Sequence, residues 1–309
     1  MVLSLAYQLV VLFIMMACGW LLVKGKLLRV KDSRVLSIIN IYIIQPCVII
    51  RAFQIELTET VRTGFLFSLG TALIVNLMLI GVTMVFSRVL RLKPVEQASV
   101  IYANAGVLVI PIVSAVMGDE WVIYTTPFMC VQLCFIWTHC DSLLRGTRGI
   151  KWRNILKNLN LIAIVIGAVL MVLRIRLPSI AADVMSGMSA LLGPVGMIVI
   201  GMLFAGTDLR RAVKNKRLWS VCAIKMLALP ALVLLAMRLT GLSGSVRDGH
   251  TLMYISFLAV IGPSASFVTQ LAQLHRQDPE YASTINVFTC LLSLITMPMM
   301  TMLFERLIG

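Results

Sequence analysis

The 309 residues are 60% apolar and only 13% charged, with a mean hydropathy of +0.97. A soluble domain is nearer half apolar and a quarter charged, so the composition excludes one and indicates a polytopic membrane protein. The net charge of +14 would suit nucleic acid or a membrane surface, but the placement of the charges argues against a nucleic-acid partner.

Apolar runs of about 20 residues, the length a helix needs to cross the hydrocarbon core, recur along the chain. An outer-membrane barrel would show short alternating strands instead, and none is seen. The runs predict an all-α protein with ten spans, at residues 3–23, 35–55, 63–87, 97–118, 121–140, 159–175, 184–206, 218–238, 251–273 and 282–304. The first has no basic residue ahead of it and exceeds a signal-peptide core, so it is expected to be retained as a span. The second carries Asn40 and then Gln45-Pro46, a polar patch before an expected break. Amide side chains there can recognise a carboxylate, an amide or a dehydrated cation, or can bond a neighbouring helix.

The fourth span contains Ala103-Asn104-Ala105-Gly106-Val107-Leu108-Val109-Ile110-Pro111. Proline removes a backbone donor and clashes with the preceding turn, so the helix is expected to kink or break near Pro111. Broken backbone in lipid is tolerated only where protein covers it or where it lines a cavity. Transporters form midplane sites from such segments; a kinked packing helix with Asn104 bonding a neighbour is the plainer reading. The sixth span is the shortest and ends in Arg174-Ile175-Arg176-Leu177-Pro178. The eighth holds Lys225, the one charge inside a span, ahead of Pro230. A lysine there costs about 2.5–3.5 kcal/mol on insertion scales. It either attracts an anion and stabilises one conformer, or snorkels to the interface. The ninth span is interrupted by Gly262-Pro263-Ser264-Ala265-Ser266.

Nineteen Lys and Arg residues fall in one set of alternate loops: 24, 26, 29, 31 and 34; 88, 91 and 93; 145, 148, 151, 153 and 157; 210, 211, 214, 216 and 217; and 276. Seven fall in the other set: Arg51, Arg62, Arg174, Arg176, Arg238, Arg247 and Arg306. The positive-inside rule makes the first set cytoplasmic, with both termini outside and the chain multi-pass in the cytoplasmic membrane. The longest basic connection divides the chain into a first five-helix half at 1–143, a linker at 144–158 and a second half at 159–309, which would insert with opposite orientation. Gly19 and Pro46, 27 residues apart, are echoed by Gly167 and Pro194 at the same separation. The fourth span then pairs with the ninth. Two Gly/Pro-interrupted segments in corresponding positions are the sequence pointer to a transporter site.

No P-loop lysine, GxSxG or HExxH motif occurs, and no histidine lies at a span centre beside a nucleophile, so neither ATP hydrolysis nor another enzyme activity is expected. The seven cysteines lack zinc spacing and read as packing residues; no metal or cofactor is expected. All thirteen acidic residues fall in loops or at span edges, which counts against a midplane proton-carrying carboxylate. What remains favours an anion. Half-helices direct partly positive N-termini into the membrane centre, where backbone N–H groups hold negative charge. Ser264 and Ser266 can add hydroxyl donors. A sodium or proton site made of carbonyls and amides stays open.

Three stretches in this order and spacing resemble the auxin efflux carrier family. They are Ser37-Ile38-Ile39-Asn40 through Gln45-Pro46; Asn104-Ala105-Gly106 through Pro111; and Gly262-Pro263-Ser264-Ala265-Ser266, running on to Asp278-Pro279-Glu280 and to Leu291 through Pro298. Lys225 with Pro230 is similar to a basic residue and proline of the family's eighth span. Val107 and Val109 depart from the family's Phe and Gly. The resemblance implies two inverted five-helix repeats, with broken fourth and ninth helices crossing near the midplane. It also implies a scaffold of helices one, two, six and seven, an elevator-like transport domain, and cargo such as malate, malonate or an auxin-like acid. The expectation is therefore a secondary transporter of a small organic anion, with Asn104, Gly106, Pro111, Pro263, Ser264, Ser266, Asn40, Pro46 and Lys225 as site residues and the lipid bilayer as its other partner. The rivals are a cation-coupled antiporter or sodium symporter, and a non-transporting receptor or scaffold. Small-residue helix faces serve internal packing or a homodimer alike, so oligomeric state stays open.

Overall fold

The computed structural model describes residues 2–54, 59–146 and 159–308, so Arg148, Lys151, Arg153 and Lys157 of the basic linker lie outside the described residues. In chain order the helices are α1 (Val2–Lys24), α2 (Ser33–Ile39), α3 (Gln45–Ala52), α4 (Glu59–Leu90), α5 (Pro94–Ile101), α6 (Ala105–Met117), α7 (Thr126–Phe135) and α8 (Asp141–Arg145). After the linker follow α9 (Leu159–Val172), α10 (Ser179–Ala190), α11 (Leu192–Phe204), α12 (Leu209–Lys214), α13 (Lys216–Ala223), α14 (Leu229–Thr240), α15 (Gly249–Ile261), α16 (Ser266–Leu274) and α17 (Pro279–Ile308). Among the described residues there is no strand beyond one isolated bridge. Among the described residues, six helical stretches are long and apolar enough to cross a membrane, and the molecule is a multi-pass membrane protein.

The prolines behave differently from one another. Pro46 does not break its helix: α2 and α3 are joined by a wide π-turn over Asn40–Ile44, and the stretch Val30–Ala52 is continuous. Pro230 follows the same device, a π-turn over Ile224–Ala228. A widened turn two residues ahead of proline accommodates the ring and the missing donor without opening the helix. The expected break near Pro111 is also displaced. Pro111 rides inside α6, and the chain unwinds upstream, at Tyr102–Asn104. In the ninth span the unwound residues are Gly262–Ala265, with Pro263 inside the break itself.

Continuous helices meet through small residues. α1 runs along α11, and a Cβ on Gly19 or Gly201 would overlap the Ile198 or Met16 carbonyl. α9 packs on α3, where Gly167 receives the Phe53 ring. The echoed glycines thus perform parallel tasks, each admitting a neighbour that a side chain would exclude.

One end of the bundle is held by charges from the richly basic set of loops. Glu96, in the first turn of α5, is fully buried. It accepts from Arg217 Nη2 at 2.6 Å, the Lys93 N–H at 2.6 Å and the Tyr281 hydroxyl at 3.1 Å. Burial opposes its ionisation, but the Arg217 guanidinium and the Lys93 and Tyr281 donors outweigh it, holding the carboxyl below its ordinary value. Asp141 joins Arg145 at 2.8 Å and His275 at 2.7 Å, tying α8 to the end of α16. These acids do lie at helix ends, as expected, yet Glu96 is a buried ion-pair partner rather than a solvated loop residue.

Candidate site at the crossing of two unwound segments

The two breaks meet. The Asn104 N–H donates to the Pro263 carbonyl at 2.8 Å, and the Ala265 N–H donates to the Tyr102 carbonyl at 3.0 Å. This closes one antiparallel bridge between Ala103 and Ser264. In such a pair the two central residues face one another without bonding, and their own N–H and C=O groups point away from the partner strand. Away from water those groups need partners, because each left unpaired in an apolar interior costs about 1–3 kcal/mol.

Side chains from the next helix in sequence supply them on both sides. Gln132, on α7, donates from Nε2 to the Ala103 carbonyl at 2.7 Å and accepts the Ala103 N–H at 3.4 Å. Asn286, on α17, donates to the Ser264 carbonyl at 2.6 Å, and Thr289 Oγ1 accepts the Ser264 N–H at 3.1 Å. Every backbone group of the central pair is thereby satisfied. Sequence reasoning missed Gln132, Asn286 and Thr289; the available signal was an amide inside an otherwise apolar helix, which in a membrane marks a site or a partner.

Not all polar atoms here are satisfied. Among the described residues, Asn104 Nδ2, Ser264 Oγ, Gln270 Nε2, Asn40 Oδ1 and both side-chain heteroatoms of Gln45 are buried without a partner. Gln45, Asn104 and Gln132 share one cavity of about 30 Å³, walled by Val48, Met129, Leu133 and Phe267 among others. That is room for water and not for an organic acid. Next to it, Asn40 Nδ2 donates to Gln270 Oε1 at 3.1 Å. Gly196 on α11 faces this pair: a Cβ there would lie 3.3 Å from Gln270 Nε2, 3.5 Å from Ser266 Oγ and 3.6 Å from Asn40 Nδ2. Further along, Ser37 donates to Gln273 Oε1 at 2.5 Å, and Gln273 Nε2 donates to Ser33 at 2.7 Å. A polar ladder therefore joins α2 to α16.

Of the residues read from sequence, Asn104, Pro263, Ser264 and Ser266 come together at the crossing, with Asn40 beside them. Gly106 lies in the first turn of α6, whose N-terminal residue Ala105 follows the unwound strand. Pro46 shapes the helix that presents Gln45, and Gln45 rather than Pro46 lines the cavity. Lys225 is 2% exposed, yet it lines neither this cavity nor the larger one described below. The sequence placed it in the site; the structure places it on the π-turn before Pro230, where α13 and α14 pack against α17.

A profile of the family described as membrane transport protein matches residues 4–149 and 142–301. No curated protein matches the chain.

Proposed function

The chain belongs to the auxin efflux carrier family of membrane transport proteins, and from that premise we propose that it is a secondary transporter of a small organic anion, a carboxylate of the malate, malonate or auxin-like class. The observation that carries the reading is the pair of unwound segments, each leading into a helix N-terminus, beside unpartnered buried amides. Ala105 starts α6 and Ser266 starts α16, so the free N–H groups and partial positive charge of two helices converge on one region. Asn104 and Gln45 add donors facing the cavity.

An anion is favoured over a dehydrated cation by the state of the carbonyls. Those of Tyr102, Ala103, Pro263 and Ser264 each already accept a hydrogen bond, from Ala265, Gln132, Asn104 and Asn286 respectively. A sodium site would need such oxygens turned toward the ion. Among the unpartnered amide atoms of this region, the donors Asn104 Nδ2, Gln45 Nε2 and Gln270 Nε2 stand against two acceptors, Asn40 Oδ1 and Gln45 Oε1.

In this reading the chain crosses the cytoplasmic membrane ten times as two inverted five-helix repeats, with both termini outside. The parallel roles of Gly19 and Gly167, and of Gln132 and Asn286 with Thr289, support the repeat. The ladder from Ser33, Ser37 and Asn40 to Gln270 and Gln273 closes the cytoplasmic half, and an elevator-like movement of α16 past α2 opens it. The 30 Å³ cavity is thus a closed form of the binding site.

The test is counterflow of labelled dicarboxylates and indole-type acids in proteoliposomes, with wild type and Asn104→Ala. We expect an anion-dependent exchange that falls at least tenfold in the variant. Exchange that needs a sodium gradient and no organic anion would replace this reading with the cation-coupled one. Equal exchange by both proteins would remove Asn104 from the site.

A further inference from the structure

Four of the seven basic residues in the sparsely charged set of loops, Arg51, Arg62, Arg174 and Arg176, line a single open cavity of about 1130 Å³. It lies where the end of α3, the start of α4, the end of α9 and the start of α10 meet, and it shares no lining residue with the cavity at the crossing. Its shape is held locally, since the Leu177 N–H donates to Gln54 Oε1 at 3.0 Å and pins the turn after α9 to the end of the second span. The rest of the lining is largely apolar and includes Phe65, Leu69, Leu170, Met171, Ile175 and Met185.

Topology does not account for this cluster. The positive-inside rule disfavours arginine on this side, and two pairs of arginines from distant parts of the sequence still converge on one space. None of the described lining residues is acidic, and the side chains of Arg51, Arg62 and Arg174 make no ion pair or hydrogen bond among the described residues. Like charges around one apolar cavity repel until an anion sits between them. Guanidinium forks match carboxylate and phosphate oxygens, and the apolar walls below suit a hydrocarbon or aromatic body. The volume also exceeds the upper range of ordinary small-ligand pockets, about 1000 Å³.

We propose that this cavity binds an amphipathic anion, its carboxylate or phosphate head held by Arg51, Arg62 and Arg174 and its apolar body laid against the α4 and α9 walls. Two sources share that chemistry: an anionic phospholipid of the adjoining leaflet and a free amphipathic acid.

The experiment uses the full chain in two arms. Decanoate is titrated against the detergent-purified protein, with acetate as the headgroup-only control. Phosphatidylglycerol, with phosphatidylcholine as its uncharged counterpart, is scored by native mass spectrometry from mixed nanodiscs. We expect at least one anionic probe to bind and to weaken tenfold or more in an Arg51→Gln/Arg62→Gln/Arg174→Gln variant. An Arg238→Gln/Arg247→Gln variant, which removes charges of the same side outside the cavity, should leave binding unchanged. Leu170→Trp, which fills the wall and keeps every arginine, should weaken the same probe; with the single Arg62→Gln it also covers the case that the triple variant fails to fold. Binding of phosphatidylglycerol alone assigns the site to lipid, and binding of decanoate alone assigns it to a soluble acid. Absence of binding by both anionic probes, equal binding of phosphatidylcholine, or equal binding by wild type and the arginine variants overturns the proposal. None of these readouts uses transport, so the anion-transport reading can fail without touching them.

Discussion

Two helix contacts in this molecule solve one problem in opposite ways. Where α1 meets α11, both backbones are already satisfied by their own helices, and close approach needs only the absence of side chains, which Gly19 and Gly201 provide. At the crossing the backbones are unwound, and close approach needs donors and acceptors, which Gln132, Asn286 and Thr289 provide. In lipid a helix is self-sufficient and an unwound segment is not, so the first contact selects for small residues and the second for amides. Only the second leaves polar atoms over, and that surplus is where a ligand can act.

The largest effect should come from closing the space in the first contact. Gly201→Ala puts a methyl group into the Met16 carbonyl, which is backbone and cannot swing away. We expect a loss of about 3 kcal/mol, at the upper end for overpacking, measured by thermal unfolding in detergent. A change below about 0.5 kcal/mol on that scale of overpacking costs would mean the two helices separate freely.

Next is Gln132→Leu, which keeps the bulk and removes both partners of Ala103. With two buried backbone groups unpaired, a loss of about 2 kcal/mol is expected, together with loss of exchange in proteoliposomes. Asn286→Leu should behave alike if the two sides of the crossing are equivalent. A neutral Gln132→Leu would break the comparison, because the unwound strand would then need no side-chain support.

The ion pair at the basic end is a third kind of contact, and it is sensitive to pH. Arg217→Met should cost about 1–2 kcal/mol, below the 3–5 of a fully buried pair because the arginine side chain is 41% exposed. Glu96 has a folded-state pKa below its ordinary 4.5, so its contribution is present above that value and is lost as pH falls through the folded value. Wild-type thermal stability should therefore drop with acidification below about pH 4.5, more steeply than that of Glu96→Gln. Parallel profiles would show that Glu96 is not the responsible group.

The smallest effect on stability is expected from Gly196→Ala. Its methyl group would sit at 3.3–3.6 Å from the ends of Gln270, Ser266 and Asn40, so the fold should change by less than about 0.5 kcal/mol. If those groups contact cargo, half-saturation for exchange should nevertheless rise several-fold. An unchanged half-saturation would confine cargo to the Asn104 and Gln45 side.

Much of the fold was legible in the chain because lipid imposes a simple rule. An apolar run of about 20 residues must be a helix with all its bonds internal. The interrupted fourth and ninth spans could be read in the same way, since glycine and proline at those places have no other use in a plain anchor. The exact place of unwinding could not: proline marks a disturbed helix, and whether it becomes a π-turn, as before Pro46 and Pro230, or an open strand, as at Pro263, depends on what stands nearby to accept the freed groups. Gln132 and Asn286 decide that at the crossing, and each acts on a residue more than twenty positions away. The same holds for Arg51, Arg62 and Arg174, ordinary loop charges in sequence that one cavity brings together. By itself the sequence determined that the chain is a multi-pass membrane protein of helices and that two of its apolar segments are interrupted, because burial in lipid is a property of each segment alone. Only the tertiary structure decided which atoms satisfy the breaks and which remain free for a ligand, because hydrogen-bond satisfaction is a property of neighbours in space.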